Sequence, residues 1–346
     1  MSNNNYSQDF YEEISLQDLF MALWKQKVLI IIFTLAAAMI SGIFSIFILK
    51  PVYHARLDII INMPETYQTK YGDFLLPIST NEQYINLITS SEILKNTIED
   101  MGYDTNEISI ESLRDRISIV QTNNNNAGQN SFVIRVAANN PQEAKLLAEV
   151  LYNNYIEFVD VLTAKGAVEY FIDYYSVQVS SLNVELKSNK ALLEKYTELL
   201  ASTPMTINQK EAIDSIKSAD KISNIVIMEN IINPNYTALE QDIIDIKQTI
   251  NTIESNIDLY NTYLDELKAK KAEIEAYYNT GEFNEISNKI VRVTTSNIYL
   301  VSEPVAPSRK SSPNNFRNIL IGAVLGAMVS VLAALIREFW FKKDMQ

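Results

Sequence analysis

Two apolar stretches near the ends of the chain contain no charged residue: Val28–Leu49, 22 residues long, and Ile319–Ile336, 18 residues long. A helix needs about 17–25 mainly apolar residues to cross the hydrocarbon core of a bilayer, so both stretches predict membrane spans. The first is longer than the roughly 7–15 apolar residues of a signal peptide core. It closes on Phe47-Ile48-Leu49-Lys50, which offers no small-x-small cleavage site, and therefore predicts a retained anchor.

Between the spans the period of the pattern changes three times. Tyr53, Ala55, Leu57, Ile59 and Ile61 alternate with more polar residues, the period of two expected of a strand with one buried face. Residues 80–102 predict a helix with Ile85, Ile88, Ile93 and Ile98 on its apolar side and Gly102 placed to end it. Ile108–Asp115 predicts a short helix. Ile117–Val120 and Phe132–Ala137, separated by an Asn-rich loop containing Gly128, predict a hairpin. Residues 50–140 therefore predict a small α/β unit close to the membrane.

From Asn140 onward the period becomes helical. Asn140, Pro141 and Glu143 supply a cap, a first-turn proline and a first-turn acid, and only Gly166 interrupts helix formers up to about Leu200. Tyr175, Val179, Leu182, Leu186, Leu193, Tyr196 and Leu200 form a stripe at 3–4 spacing, with Asn189 in one seam position. Leu239, Ile243, Ile246, Ile250, Ile253, Ile257, Tyr260, Leu264 and Leu267 alternate 4–3 without a miss, a coiled-coil signature. Two such stripes joined through the less regular 201–234 segment predict an antiparallel helical hairpin. Sixty helical residues rise about 90 Å, and a hairpin that long exposes enough side surface to predict packing against neighbouring copies. Ile290–Val293 and Asn297–Val301 predict returning strands. Pro304, Pro307 and Pro313 stiffen the approach to the second span.

Charge and chemistry sharpen this picture mainly by exclusion. The chain has 346 residues and a net charge of −13, of which the segment between the spans holds −12. An acidic body offers nucleic acid no basic stripe. The cations beside the spans number five on each side, so they do not by themselves orient the protein. A long middle segment can be translocated regardless of charge, which favours short cytoplasmic ends and an exported body. No glycine is followed by lysine, so the sequence has no GxxxxGK phosphate loop, and it has no GxGxxG. With no cysteine and one histidine, His54, neither thiolate chemistry nor a zinc site is expected. His54 reads as a membrane-proximal strand residue, and the carboxylate pairs Asp242/Asp245 and Glu273/Glu275 read as solvated helix faces. The expectation is a protein without catalytic residues, cofactor or metal. Gly322 and Gly326 make a small-xxx-small motif in the second span that allows close approach of another span, although glycine is also common in membrane helices.

In four places the residues resemble the Wzz family of polysaccharide co-polymerases, the chain length determinant proteins of bacterial surface glycans. Glu13-Ile14-Ser15-Leu16-Gln17-Asp18-Leu19 with Leu23-Trp24-Lys25 is similar to that family's amphipathic lead-in to the first span. Pro51-Val52-Tyr53-His54-Ala55 is similar to its first strand, and Asn233-Pro234-Asn235-Tyr236 with Leu239 to the opening of its second long helix. Tyr299–Pro313 followed by Gly322 and Gly326 is similar to its proline-rich segment and second span. The resemblance implies an α+β fold in which two transmembrane helices flank an extracytoplasmic α/β base with long projecting coiled-coil-like helices. It also implies a ring-like homo-oligomer in the bacterial inner membrane, and control of O-antigen, capsule or related glycan length together with a Wzy-type polymerase.

On this reading the chain divides into a cytoplasmic segment (1–27), the first span (28–49), the base (50–140) and the helical hairpin (141–285). Return strands with the proline-rich segment (286–318), the second span (319–336) and a cytoplasmic tail (337–346) complete it. Two alternatives stay open: a partner of an ABC-type polysaccharide exporter, or a regulator of a separate cytoplasmic tyrosine kinase. The short ends leave no room for a fused kinase or a signalling output domain, so a sensory receptor is disfavoured, as is a membrane-tethered glycosyltransferase, since no Asp-x-Asp occurs.

Overall fold

The computed structural model describes residues 16–121, 130–208, 230–280 and 293–339. In chain order the elements begin with α1 (Leu16–Lys25), α2 (Lys27–Ile43), β1 (Tyr53–Ile61), β2 (Thr66–Thr69) and β3 (Gly72–Leu75). Next come α3 (Asn81–Asn86), α4 (Ser91–Asp100), α5 (Ile110–Arg114), β4 (Ile117–Gln121), β5 (Ser131–Ala138) and α6 (Pro141–Ser202). The remainder are β6 (Thr206–Asn208), β7 (Asn230–Ile232), α7 (Pro234–Thr280), α8 (Thr294–Asn297), β8 (Ile298–Leu300) and α9 (Asn315–Phe339). The chain is thus mixed α/β, with apolar helices towards both ends and two long helices between them. It forms two compact units, one of residues 1–61, 85–155 and 299–346, the other of 62–84 and 156–298.

The first unit contains a four-stranded sheet in the order β4-β5-β1-β8. β1 and β5 are antiparallel, with Leu57 opposite Ile134 and Ile59 opposite Phe132, and β4 joins β5 with Ile117 opposite Val136. Ala55, Leu57, Ile59 and Ile61 are buried, as the alternation along β1 requires. Ile93, Leu94 and Ile98 of α4, and Ala144, Leu147, Ala148 and Leu151 of α6, supply the buried helical surface. Asn140 caps α6, its Oδ1 accepting from the Glu143 amide at 2.8 Å. Pro141 sits where a missing N–H has no cost.

The helix predicted over 80–102 is in fact two. α3 tightens into a 3₁₀ turn at Leu87–Thr89, and Ser90 turns extended (φ −66°, ψ 151°) before α4 begins. Apolar spacing continues across the break because both pieces bury the same side, which is why periodicity alone does not reveal it. Gly102 does end α4: at φ +63° it takes the left-handed conformation that favours glycine, and the Tyr103 amide reaches back to the Ile98 carbonyl at 3.1 Å. Val293 is buried without joining a strand, Asn297 ends the short helix α8, and the strand covers only Ile298–Leu300. The strand positions 290–292, the Asn-rich turn with Gly128, Glu13–Ser15 and the tail from 340 onward lie outside the described residues.

In the second unit, α6 runs unbroken through Gly166, where an added Cβ would meet the Phe74 ring at 3.4 Å. A hairpin absent from the sequence reading, β2–β3, turns through Gly72 at φ +127° and packs Tyr71, Phe74 and Leu76 into a core with Val161, Val168 and Phe171 of α6. Leu264, Leu267, Ile274 and Tyr277 of α7 belong to the same core. The short strands β6 and β7 pair near the far end of the two long helices.

Candidate functional site

The candidate functional surfaces lie on the paired apolar helices in one unit and on the α6–α7 hairpin in the other. Lys27–Ile48 and Asn315–Glu338 are each long and apolar enough to cross a membrane. The first is α2 continued by a π-turn over Phe44–Ile48, and the second takes in Asn315–Asn318 before the uncharged run and Arg337 and Glu338 after it. Only 11% and 17% of their apolar windows are buried within the protein. That leaves an apolar surface water would not tolerate on a soluble monomer.

α2 and α9 run antiparallel in direct contact, and small residues set how closely they approach. A Cβ on Gly322 would overlap the Ser41 side chain, and one on Gly326 would overlap the Ala37 Cβ. The small-xxx-small spacing thus faces the chain's own first apolar helix. Gly42 reciprocates, with Ile319 3.1 Å from where its Cβ would lie.

Polar groups clasp the pair at both ends. Ser41 Oγ donates to the Asn318 carbonyl at 2.7 Å, and Asn318 Nδ2 donates to the buried Ser45 Oγ at 2.9 Å. Ser45 Oγ in turn reaches Asn315 Oδ1 at 3.1 Å. At the other end Lys25 and Gln26 reach Glu338 at 3.4 and 3.3 Å. Sequence reasoning passed over these groups, yet Ser41/Ser45 and Asn315/Asn318 stand at helical spacing. Such groups are favoured where the alternative is hydrocarbon.

The proline-rich segment is fastened to the start of β1. Val52 pairs with Ser312, its amide donating at 2.9 Å and its carbonyl accepting from Ser311 at 2.8 Å. Pro304 and Pro313 are buried and Pro307 is half-buried. His54 is half-buried on β1, opposite Ala137.

On α7, Ile243, Ile250, Ile253, Leu264 and Leu267 are buried, and Leu239, Ile246, Ile257 and Tyr260 are half-buried. None of the nine seam positions is exposed. The α6 stripe meets this seam through an aromatic cluster, Tyr175 lying 4.9 Å from Tyr260 and 5.2 Å from Tyr263 between ring centres. Lys190 pairs with Glu254 at 2.8 Å, and Asn233 donates to the Pro204 carbonyl at 2.8 Å. These three contacts fix an antiparallel hairpin. Asn189, in one seam position, turns its amide back to the Glu185 carbonyl of its own helix at 3.0 Å.

Burial pushes the Tyr175 hydroxyl up to about 12, with neighbouring tyrosines adding to the effect, and it donates to the Tyr71 carbonyl. Near it Lys70 pairs with Glu266 at 2.6 Å, while Tyr71 donates to the same oxygen at 2.9 Å. The hydrogen bond from Lys70, then that from Tyr71, holds the Glu266 carboxyl below the usual range. These three contacts tie the β2–β3 hairpin to α6 and α7. Among the described residues no group of three or more His, Cys, Asp or Glu side chains could hold a metal ion.

Residues 12–101 match the family model of Wzz, chain length determinant protein. The chain is 28% identical over 159 residues to the "Probable capsular polysaccharide biosynthesis protein YwqC" of Bacillus subtilis, a match covering 44% of this chain and 58% of that protein. Among solved structures it is similar to a full-length bacterial polysaccharide co-polymerase, at 15% identity and a TM-score of 0.46, over 96% of this chain and 100% of the other. It is also similar to a fragment of WzzB, a polysaccharide co-polymerase from Salmonella Typhimurium, at 15% identity and a TM-score of 0.27, over 76% of this chain and 100% of the fragment. Both TM-scores fall below 0.5.

Proposed function

We propose that this chain is a non-enzymatic regulator of bacterial surface polysaccharide chain length, held in the cytoplasmic membrane by α2 and α9. The observation that carries this reading is the chain length determinant match over residues 12–101, which takes in the first apolar helix and β1. The similarity to a capsular polysaccharide biosynthesis protein supports the same chemistry of product.

On this reading both ends are cytoplasmic, and the middle segment lies outside, where the glycan is extended. On this reading residues 50–140 are the membrane-proximal base and residues 141–285 the helical hairpin region. Control of length on this reading comes from shape, self-assembly into an oligomer and contact with a Wzy-type polymerase, in keeping with a sequence that has no GxxxxGK phosphate loop, no cysteine and a single histidine.

The test is deletion of the gene followed by gel analysis of surface polysaccharide. Continued synthesis with loss of the preferred length is the expected result. Complete loss of polymer would instead point to an export or synthetic role.

A further inference from the structure

Charge is distributed unevenly around the paired helices. From Lys50 to Leu57 and from Pro304 to Asn318 the chain carries Lys50, Arg56, Arg309, Lys310 and Arg317 and not one Asp or Glu, in a protein of net charge −13. All five are exposed. Arg56 is already engaged by Asp58 at 2.8 Å, but Lys50, Arg309 and Arg317 make no ion pair with any described residue.

The fold gathers these cations. The Val52–Ser312 bridge places Lys50 and Lys310 each two residues from one point. Lys310 Nζ donates to Asn315 Oδ1 at 3.1 Å, which draws it to the first turn of α9, where Arg317 also lies. Beside them Phe47 is 80% exposed and Phe316 77% exposed, so bare aromatic rings border the charges at the ends of both apolar runs. Lys and Arg side chains at a span end hold their charged heads at the depth of the lipid headgroups while their stems lie along apolar surface. On the topology proposed above, this is the translocated side, where Lys and Arg in short flanks are ordinarily scarce.

We propose that Lys50, Arg309, Lys310 and Arg317 form a collar that binds the phosphate groups of anionic phospholipids, in the leaflet from which the middle segment emerges. Ammonium and guanidinium groups take phosphate oxygens through charge-assisted hydrogen bonds. The collar has a further physical role: anionic headgroups repel the acidic remainder of the middle segment within a Debye length, and local cations offset that repulsion where the chain leaves the bilayer. The inference rests on the two-span reading.

The test uses the full-length protein in lipid nanodiscs of equal parts phosphatidylglycerol and phosphatidylcholine. Native mass spectrometry counts the lipids that stay bound. Several-fold preferential retention of phosphatidylglycerol is expected. It should be lost in a variant combining Lys50→Gln, Arg309→Gln, Lys310→Gln and Arg317→Gln, and kept with Lys27→Gln and Arg337→Gln at the opposite end. Lysine labelling of the unaltered protein gives a second readout, with Lys50 and Lys310 several-fold better protected in phosphatidylglycerol than in phosphatidylcholine discs. Equal retention of the two lipids, or retention unaffected by the collar variant, overturns the proposal. Displacement of the lipid by glycerol 3-phosphate in solution also overturns it, in favour of a free phosphate ligand. Failure to enter the discs at all would sink the two-span reading itself, an outcome distinct from insertion without lipid preference.

Discussion

At Gly322 and Gly326 one missing side chain sets the distance between two helices. Because a Cβ at either position would collide with Ser41 or Ala37, replacing both glycines by leucine must push α9 away from α2. Overpacking of this kind costs about 1–3 kcal/mol per site where the backbone can shift. The expected outcome is an altered length distribution of surface polysaccharide at matched protein levels, checked by gel and immunoblot. A direct readout of the pairing is available because the chain has no native cysteine. Ser45→Cys with Asn318→Cys should be joined by a short bifunctional thiol reagent, since the native side chains meet at 2.9 Å, and the double leucine variant should reduce that yield several-fold. Substituting His54 by Ala should leave length control intact, as the residue is a half-buried strand position with no chemical partner required of it. Loss of control on that change alone would reopen a chemical role. The Glu266 carboxyl, held low by Lys70 and Tyr71, contributes stability that is present above the ordinary carboxylate range and is lost as pH falls through its own lowered value. Glu266→Gln should therefore lower the urea midpoint at neutral pH, and the difference should vanish in strong acid.

For the elements, the seam of α7 is the sharpest case. Ile250 is buried in the interface that Tyr175 and Lys190 of α6 establish from the other side. Ile250→Asp places a carboxylate there without a cation, at a cost of several kcal/mol, of the order of an unpaired buried charge. Limited proteolysis of the detergent-solubilised protein should cut within α7 at least several-fold faster than in the unaltered chain. Unchanged cleavage would mean that the seam is not a packing surface. The buried face of α7 also extends further than the heptad count, to Ile274 and Tyr277, which belong to the same core cluster as α6 and the β2–β3 hairpin.

For the whole molecule, the testable property is topology. Two apolar helices and no third among the described residues require the ends of the described chain to share one side of the membrane if both helices span it. A reporter enzyme active only outside the cytoplasm should work when inserted at exposed Asn106 and fail when fused at the C-terminus. The reverse pattern would invert the proposed orientation while leaving the two spans in place. Self-assembly belongs to the same scale: cross-linking in native membranes should give a ladder of discrete multiples, and a strictly monomeric protein would remove the assembly part of the proposed function.

The elements set by local pattern could be read from the residues alone. Uncharged runs of span length, the alternation of β1, the Asn140-Pro141 helix start, the glycine that ends α4 and the unbroken 4–3 rhythm of α7 each depend on neighbours a few positions away. Hydrophobic period and capping chemistry act over that range. What needed the tertiary structure depends on contacts between positions hundreds of residues apart. The partner of Gly322 and Gly326 is Ser41 and Ala37, and the polar clasp joins Ser45 to Asn315 and Asn318. The break at Ser90 is hidden because apolar spacing carries straight across it, and β2–β3 is hidden because strands of four residues hold too few alternations to register. The basic collar is likewise two unremarkable flanking segments in the sequence. It becomes one surface only because the chain, on returning to α9, bonds Ser312 to Val52, a pairing no local period encodes.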